Sequence, residues 1–486
     1  MCAWKKPVRG AFAELTKQHS DKLQSLLSHS RSKASTAADV LETYNRDWMR
    51  QVHGNSRLLI SPATTSEMAS ILAYCNEHRL AVCPQGGNTG LVFGSTPVHD
   101  EVIVSTARMN NAPEIHPTTM STTTEAGVIL QVLQQDAKAQ GLLVPLDMGS
   151  KGSCFIGGAL STNAGGIHFA RYGSMRSNCL GLEVVTPQGQ ILDLMSSLRK
   201  DNAGYDLKQL FVGSEGTLGI ITKAEVKLFP YPKSSQVVLL HVSNFSEVLR
   251  TFSCATRTLS ECLSAFEVMD AESLLCSGLA DYPFEHIKGS FTILVETHGA
   301  DHEHDFAKLG NFVQACEDEK INVLAQVLSQ SEQQTRKLWS LREELPVKLA
   351  QAGTIYKFDV SFPLPQFYDV VEHIRGVARN GSGKFQLPED EVAIVGYGHF
   401  GDGNVHLNII DRTRGKHTAD LKEILYPGAY EFTAKARRGS VSAEHGIGLQ
   451  KKEYMSLSRS PEVIEVMRQL KKMMDPNGIL NPYKVL

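Results

Sequence analysis

Apolar residues in this chain recur at two spacings, and the spacing changes along its length. Over Ala11–Leu27 they fall three or four residues apart (Phe12, Leu15, Leu23, Leu26, Leu27), and Ala38–Trp48 behaves likewise, so both stretches predict helices. Leu58–Ile60 is a short apolar run closed by Ser61-Pro62. Thr65–Arg79 predicts a helix, with Ser66 as cap and Met68, Ile71, Leu72 and Cys75 as its buried stripe. Leu80–Pro84 then reads as a buried strand, and Ala224–Leu228 as another. Pro230-Tyr231-Pro232 marks a boundary. Beyond it, predicted strands at Ser235–Val242, Ala265–Met269, Ser290–His298, Ile321–Val327 and Ile355–Phe362 are interleaved with helices at Phe245–Leu259, Asp301–Cys316, Ser331–Ala352 and Leu364–Ala378. That texture predicts an α+β region with a largely antiparallel sheet. Leu421–Ala436 and Pro461–Met474 predict two further helices, separated by the polar loop Gly439–Gly448.

Val392–Ile410 (VAIVGYGHFGDGNVHLNII) reads as a β-hairpin, because two apolar arms flank Asp402-Gly403, a favoured two-residue turn. On that turn Gly401 faces Asn404, Phe400 faces Val405 and His399 faces His406, with Asn408 opposite Tyr397 one step further on the same face. Two facing imidazoles are a candidate metal site; two ordinary strand histidines are the alternative.

Three loops are rich in glycine and small polar residues: Gln85–Gly90 (QGGNTG), Leu146–Gly166 and Val212–Thr222. Glycine lets backbone approach a ligand closely, and successive N–H groups cradle phosphate. Three such loops in the first half of the chain predict a large phosphate-bearing cofactor. None is GxGxxG, so a Rossmann nicotinamide site is not indicated.

At 486 residues the chain has room for two to four domains. A net charge of −3 with scattered basic residues indicates no nucleic-acid partner. Nine cysteines without a CxxC pair argue against a disulfide framework or a cysteine zinc site, and fit a reducing compartment. No apolar run reaches membrane-spanning length. The first residues are mildly basic (Lys5, Lys6, Arg9, Lys17, Lys22), which suits either a weak organelle-targeting segment or a solvated helix.

Six motifs taken together resemble the vanillyl-alcohol-oxidase/PCMH-type flavoproteins: PQGGNTG (84–90), GSCFIGGALSTNAGG (152–166), GSEGTLGIIT (213–222), GHFGDGNVHLN (398–408), EHGIG (444–448) and DPNGILNP (475–482). The resemblance runs from about Ile60 to the C-terminus and points to the D-2-hydroxyacid branch. Within it, Arg342 and Tyr356–Asp359 look most like the D-2-hydroxyglutarate dehydrogenases. It implies an α+β chain. An N-terminal helical segment (1–54) precedes a two-subdomain PCMH-type FAD-binding domain (55–232). A substrate, or cap, domain with an antiparallel sheet (233–437) follows, and a C-terminal helical segment (438–486) completes the active site.

The same resemblance assigns residues. Pro84, Gln85, Gly86, Gly87, Asn88, Thr89 and Gly90 would hold the FAD pyrophosphate, and Ser153, Gly157, Gly158, Thr162, Asn163 and Gly166 would line the flavin. Glu215, Gly216, Gly219, Ile220 and Asn481 would attend the nucleotide side. Gln85–Gly90 contains no histidine or cysteine, so the flavin is expected to be non-covalent. His399, His406 and Glu444 would bind a divalent metal, usually zinc in that branch; the set is chemically coherent, because His₂Glu leaves open positions for substrate or water, and manganese and cobalt accept it too. Arg342, Lys357 and Asn408 would hold a small-molecule D-2-hydroxyacid, and His445 would be the base. Where some members of the branch carry a hydroxyl residue, this chain has Pro346, which keeps D-lactate and D-malate open beside D-2-hydroxyglutarate. A flavin-free zinc hydrolase is the alternative from another class. The resemblance further implies an external electron acceptor such as electron-transfer flavoprotein, a mitochondrial location (otherwise cytoplasmic), and room for a homodimer.

Overall fold

Chain breaks in the apolar pattern become strand ends in the computed structural model, which describes residues 6–380, 386–426 and 428–486. The start of the basic N-terminal stretch, and Pro427 within the helix expected over Leu421–Ala436, lie outside those residues. Two units divide the chain. The first is Met1–Gly166, Gly173–Tyr231 and Glu444–Leu486; the second is Ile167–Tyr172 and Pro232–Ala443.

In the first unit a four-stranded sheet runs in the order β1 (Lys33–Ser35), β2 (Leu59–Ser61), β4 (Val102–Ser105), β3 (Val82–Gln85), with β2, β4 and β3 parallel. Helix Thr65–Glu77 lays Met68, Ile71, Leu72 and Cys75 against Leu58, Ile60, Val82 and Val104. The returning C-terminal chain closes this core, since Val82 N–H donates to Ile479 O and Asn481 N–H to Val82 O, both at 2.8 Å. A five-stranded antiparallel sheet follows, in the order β5 (Glu114–His116), β6 (Ser121–Glu125), β10 (Ile220–Lys227), β8 (Cys179–Val185), β9 (Ile191–Leu194). Its inner face packs on helices Leu130–Ala139 and Ile156–Ser161 through Leu130, Leu133, Ile156 and Leu160. Strand β11 (Phe229–Pro230) pairs with β7 (Leu142–Leu143).

Two helix starts differ from expectation, and side-chain caps explain both. The first helix is only Lys17–Ser25, because Thr16 accepts the His19 N–H and begins it there. The helix expected to start at Ser66 is capped by Thr64, whose hydroxyl accepts the Glu67 N–H at 3.2 Å.

The second unit is built on one antiparallel seven-stranded sheet. Its order is β15 (Val323–Leu328), β12 (Ser234–Val242), β14 (Phe291–Gly299), β13 (Leu263–Asp270), β17 (Val392–His399), β18 (Asn404–Asp411), β16 (Thr354–Ser361). Val237, Leu239, Ala265, Met269 and Leu294 on one face pack against Leu338, Trp339, Leu341, Leu345 and Leu349. These five come from two helices, Glu332–Glu343 and Leu345–Ala352, where the sequence predicts one. Pro346 supplies the reason: it has no N–H to donate back to residue 342, so the helix is interrupted.

The hairpin is present, but its turn is wider than expected. Phe400–Asp402 forms a 3₁₀ turn and Gly403 takes φ +77°, so His399 pairs with Asn404, Tyr397 with His406, and Val395 with Asn408. Phe400 is drawn into the core among the rings of Phe367, Phe252 and Phe266, at 5.0, 5.2 and 5.7 Å, and cannot take the opposed strand position. The register is thus displaced by two residues. A displacement of one would move every side chain to the other face; two keeps His399, His406 and Asn408 together.

Candidate active site

In the first unit the glycine loops at Pro84–Gly90, Gly157–Thr162 and Glu215–Ile220 line a cleft, together with Gly94, Ser95, Thr106, Met148, Phe155 and His445. The walls are largely backbone. A Cβ on Gly87 would fall 2.1 Å from Ser153 O, so no other residue fits there. Cβ atoms built on Gly90 or Gly158 would meet nothing within 4 Å; those two glycines face open space. The buried Thr106 hydroxyl finds no hydrogen-bond partner among the described residues. Asn88, Asn163, Glu215 and Asn481 hold left-handed backbone, at φ +52°, +52°, +53° and +45°. Non-glycine residues occupy that region rarely, and strain of this kind gathers where backbone is shaped around a ligand. An uncompensated hydroxyl and open glycine walls fit a long phosphate-bearing group.

Ser153, Asn163, Gly166 and Asn481, also expected at the cofactor, are not among the residues lining this cleft. Ser153 packs its carbonyl on Gly87. Asn163 accepts the Arg176 N–H at 2.9 Å. Gly166 N–H donates to Glu444 at 3.3 Å, and Asn481 donates to the carbonyls of Gly94 and Glu215 at 2.9 and 2.8 Å. Glu215 both lines the cleft and acts as a latch: its carboxylate accepts the Ile447 and Gly448 N–H groups at 2.7 and 2.8 Å. Burial pushes the Glu215 carboxyl up from its ordinary value, and those N–H groups counter it in part. The latch fixes the Glu444–Gly448 loop, with His445 at the cleft.

In the second unit one face of the sheet is polar where four strands meet. Glu267 opposes His399, Tyr397 opposes His406, Asp359 opposes His406 from the other side, and Lys357 opposes Asn408. The His399 and His406 rings lie 5.2 Å apart at 85°. Nδ1 of His399 donates to Glu267 Oε1 at 2.6 Å, and Arg342 Nε donates to Glu267 Oε2 at 2.7 Å. Burial would raise the Glu267 carboxyl, but His399 and Arg342 outweigh it and hold it at about 2. With Nδ1 donating to Glu267, Nε2 is the His399 nitrogen that could ligate a metal, and a carboxylate behind a histidine is the usual support for such a ligand. Arg342 lies over the Tyr397 ring, 4.8 Å from its centroid. Asp359 takes Asn404 Nδ2 at 2.8 Å and the Ala443 N–H at 3.1 Å, which anchors the chain one residue before Glu444. Lys357 is half-buried and has no hydrogen bond or ion pair among the described residues, and burial lowers its pKa. Opposite it, the buried Asn408 Oδ1 has no donor among the described residues. An unpaired ammonium suits an anionic group of a ligand, and an unpaired amide oxygen suits a group that donates, such as a hydroxyl.

A family model described as FAD linked oxidases, C-terminal domain, matches residues 231–485, more than half of the chain, and one described as FAD binding domain matches residues 56–195. The chain belongs to the FAD-linked oxidases. This oxidase is 47% identical to mitochondrial D-2-hydroxyglutarate dehydrogenase of Bos taurus, over 93% of this chain and 80% of that one. It is 44% identical to the protein of the same name from Rattus norvegicus (93% and 82% covered) and 42% identical to that from Danio rerio (99% and 87%). Among solved structures, alkyldihydroxyacetonephosphate synthase superposes with a TM-score of 0.72 at 16% identity, covering 98% of this chain and 86% of that one. p-Cresol methylhydroxylase does so at 0.72 and 15% identity, covering 96% and 95%. At those identities the likeness is one of fold, the PCMH-type flavoprotein fold with α+β character. The family and the fold together make this oxidase an FAD-dependent hydroxyacid dehydrogenase, and the flavin-free hydrolase reading falls away. The three named relatives are mitochondrial, as expected for this chain.

Sequence reasoning about this FAD-linked oxidase missed Glu267 and Thr106. Glu267 was visible as a lone inward carboxylate in the apolar run Ala265–Met269, had a buried acid in a strand been taken as a signal. Thr106 had no local mark.

Proposed function

We propose that this chain oxidises D-2-hydroxyglutarate to 2-oxoglutarate, using non-covalent FAD and a divalent metal, zinc by the family resemblance, held by His399, His406 and Glu444. The observation that carries the substrate is the pair of cations, Arg342 and Lys357, on the sheet face that bears His399 and His406. Arg342 already has Glu267 on Nε, whereas Lys357 has no partner among the described residues, and a distal carboxylate, which lactate lacks, supplies one. The names of the mitochondrial relatives support the same acid.

The glycine-walled cleft would hold FAD, which when bound supplies the acceptor for the hydride leaving C2. The metal, when bound, supplies Lewis acidity that lowers the pKa of the C2 hydroxyl. The protein's own part is orientation and proton handling. His445, in the loop latched by Glu215, takes the hydroxyl proton on a ring nitrogen. Glu267 keeps the His399 ring in one orientation, and Asp359 does the same for the backbone leading to Glu444. Arg342 grips a carboxylate through its planar fork, while Lys357 and Asn408 meet the charge with single donors. Electrons then leave to an external carrier such as electron-transfer flavoprotein.

The test is anaerobic addition of D-2-hydroxyglutarate to the yellow enzyme, beside D-lactate, D-malate and the L-isomers. Rapid flavin bleaching by D-2-hydroxyglutarate, slower by the others, is the expected result. Equal or faster bleaching by D-lactate or D-malate replaces the substrate assignment.

A further inference from the structure

Glu267 lies fully buried at the strand position opposite His399, and its two oxygens are divided between two groups of the proposed site: Oε1 to His399 and Oε2 to Arg342. Arg342 is further restrained over Tyr397, which opposes His406. We propose that Glu267 is a positioning residue that couples metal retention to substrate recognition, one carboxylate orienting both a metal ligand and the guanidinium for the acid. This rests on the function proposed above.

The chemistry demands an acceptor on both sides. Nε of arginine only donates, so whatever replaces Glu267 must accept there. A glutamine meets that need with its amide oxygen and turns its NH₂ toward His399 Nδ1. An N–H facing Nδ1 selects the tautomer with its proton on Nε2, the nitrogen that should ligate. Glu267→Gln should therefore weaken the metal while leaving Arg342 anchored, although the side chain keeps its size. Glu267→Asp, shorter by one methylene, cannot span both partners.

The experiment uses the flavin-loaded enzyme and measures zinc affinity by competition with a chelator, then activity with and without excess zinc. Glu267→Gln is expected to bind zinc about 10–100-fold more weakly, and added zinc is expected to restore most of its kcat. Restoration by zinc separates positioning from a fold defect, which zinc would not repair. Should the glutamine variant fold poorly, Glu267→Asp carries the same readout. Zinc affinity within twofold of wild type in a folded variant, or lost activity that zinc does not relieve, overturns the proposal. His399→Ala is the control. If it too binds zinc as tightly as wild type, the metal reading has failed and the role of Glu267 falls with it. A change of preferred hydroxyacid with zinc behaviour as expected touches only the substrate assignment.

Discussion

Two buried carboxylates on neighbouring strands of the same sheet, Glu267 on β13 and Glu296 on β14, each meet histidine, yet they do different work. Glu296 Oε2 accepts His168 Nε2 and Ser264 Oγ at 2.8 Å and lies 3.2 Å from His298 Nε2. Its Oε1 accepts Trp339 Nε1 at 2.9 Å and Ser235 Oγ at 3.1 Å. The ligating atoms of His168, Glu296 and His298 lie within 4.8 Å of one another, near enough for a metal. But both imidazoles point at one carboxylate oxygen, and that carboxylate is saturated by five donors. Glu267 has one donor on each oxygen, and each donor belongs to a residue that faces the polar row of Tyr397, His406 and Asn408. Proximity of ligating atoms does not separate the two clusters; what differs is that the Glu296 carboxylate meets five donors and the Glu267 carboxylate two.

The largest effect separates the two clusters directly. His406→Ala or His399→Ala should release the metal and lower kcat/KM on the order of 10³-fold or more, the loss of several kcal/mol of Lewis-acid stabilisation. His168→Gln and His298→Gln should leave metal content unchanged. Metal analysis of the four purified proteins checks this, and loss of metal from the His298 variant would reverse the assignment of the two clusters. His445→Gln comes next: kcat should fall about 10²–10⁴-fold with flavin and metal both retained, as expected for loss of a proton acceptor.

For the Glu296 cluster the expected losses are in stability. His298→Ala leaves a buried carboxylate short of a partner and should cost about 3–5 kcal/mol in chemical denaturation. The effect has a pH signature. Burial raises the Glu296 carboxyl, but His298 and His168 outweigh it and hold it well below 4.5. A carboxylate lowered on folding adds stability above its unfolded value and loses it as pH falls toward the folded one. The gap in Tm between wild type and Glu296→Gln should therefore be full at pH 7 and shrink below about pH 4.5. A gap that stays constant down to pH 3 would mean the charge is not what stabilises the cluster.

Much of the candidate site is legible in the amino-acid order alone, and the reason is locality. The glycine loops are contiguous strings. The His399–His406–Asn408 face follows from a period of two, which a two-residue slip does not disturb. What is not legible depends on distant chain. The turn widened because Phe400 packs on Phe252 and Phe266, residues far upstream. Glu267 meets His399 across a separation of 132 residues, and Glu296 meets His168 across 128. The split of the helix after Arg342 was marked locally by Pro346; there the apolar periodicity hid a signal that was present.

The smallest expected effect tests the open end of the Glu267 side. Lys357 is the opposite case to Glu296: a half-buried charge with no partner among the described residues. Burial lowers its pKa from 10.5, so folding favours the neutral form, and between the lowered value and 10.5 the unfolded chain binds more protons. Stability contributed through this lysine therefore rises with pH across that window, and at neutral pH the unpaired ammonium is a burden. Lys357→Met should be at least as stable as wild type at pH 7. It should nonetheless raise KM for D-2-hydroxyglutarate about 10–100-fold, the worth of a hydrogen bond to a charged group, with little change for D-lactate. In the wild type, KM for the dicarboxylate should climb at alkaline pH as the ammonium is lost, starting below the ordinary lysine range, and in Lys357→Met the same profile should be flat. A variant that loses stability, or that affects both acids equally, would make Lys357 a structural group like the partners of Glu296 rather than one held in reserve for a ligand.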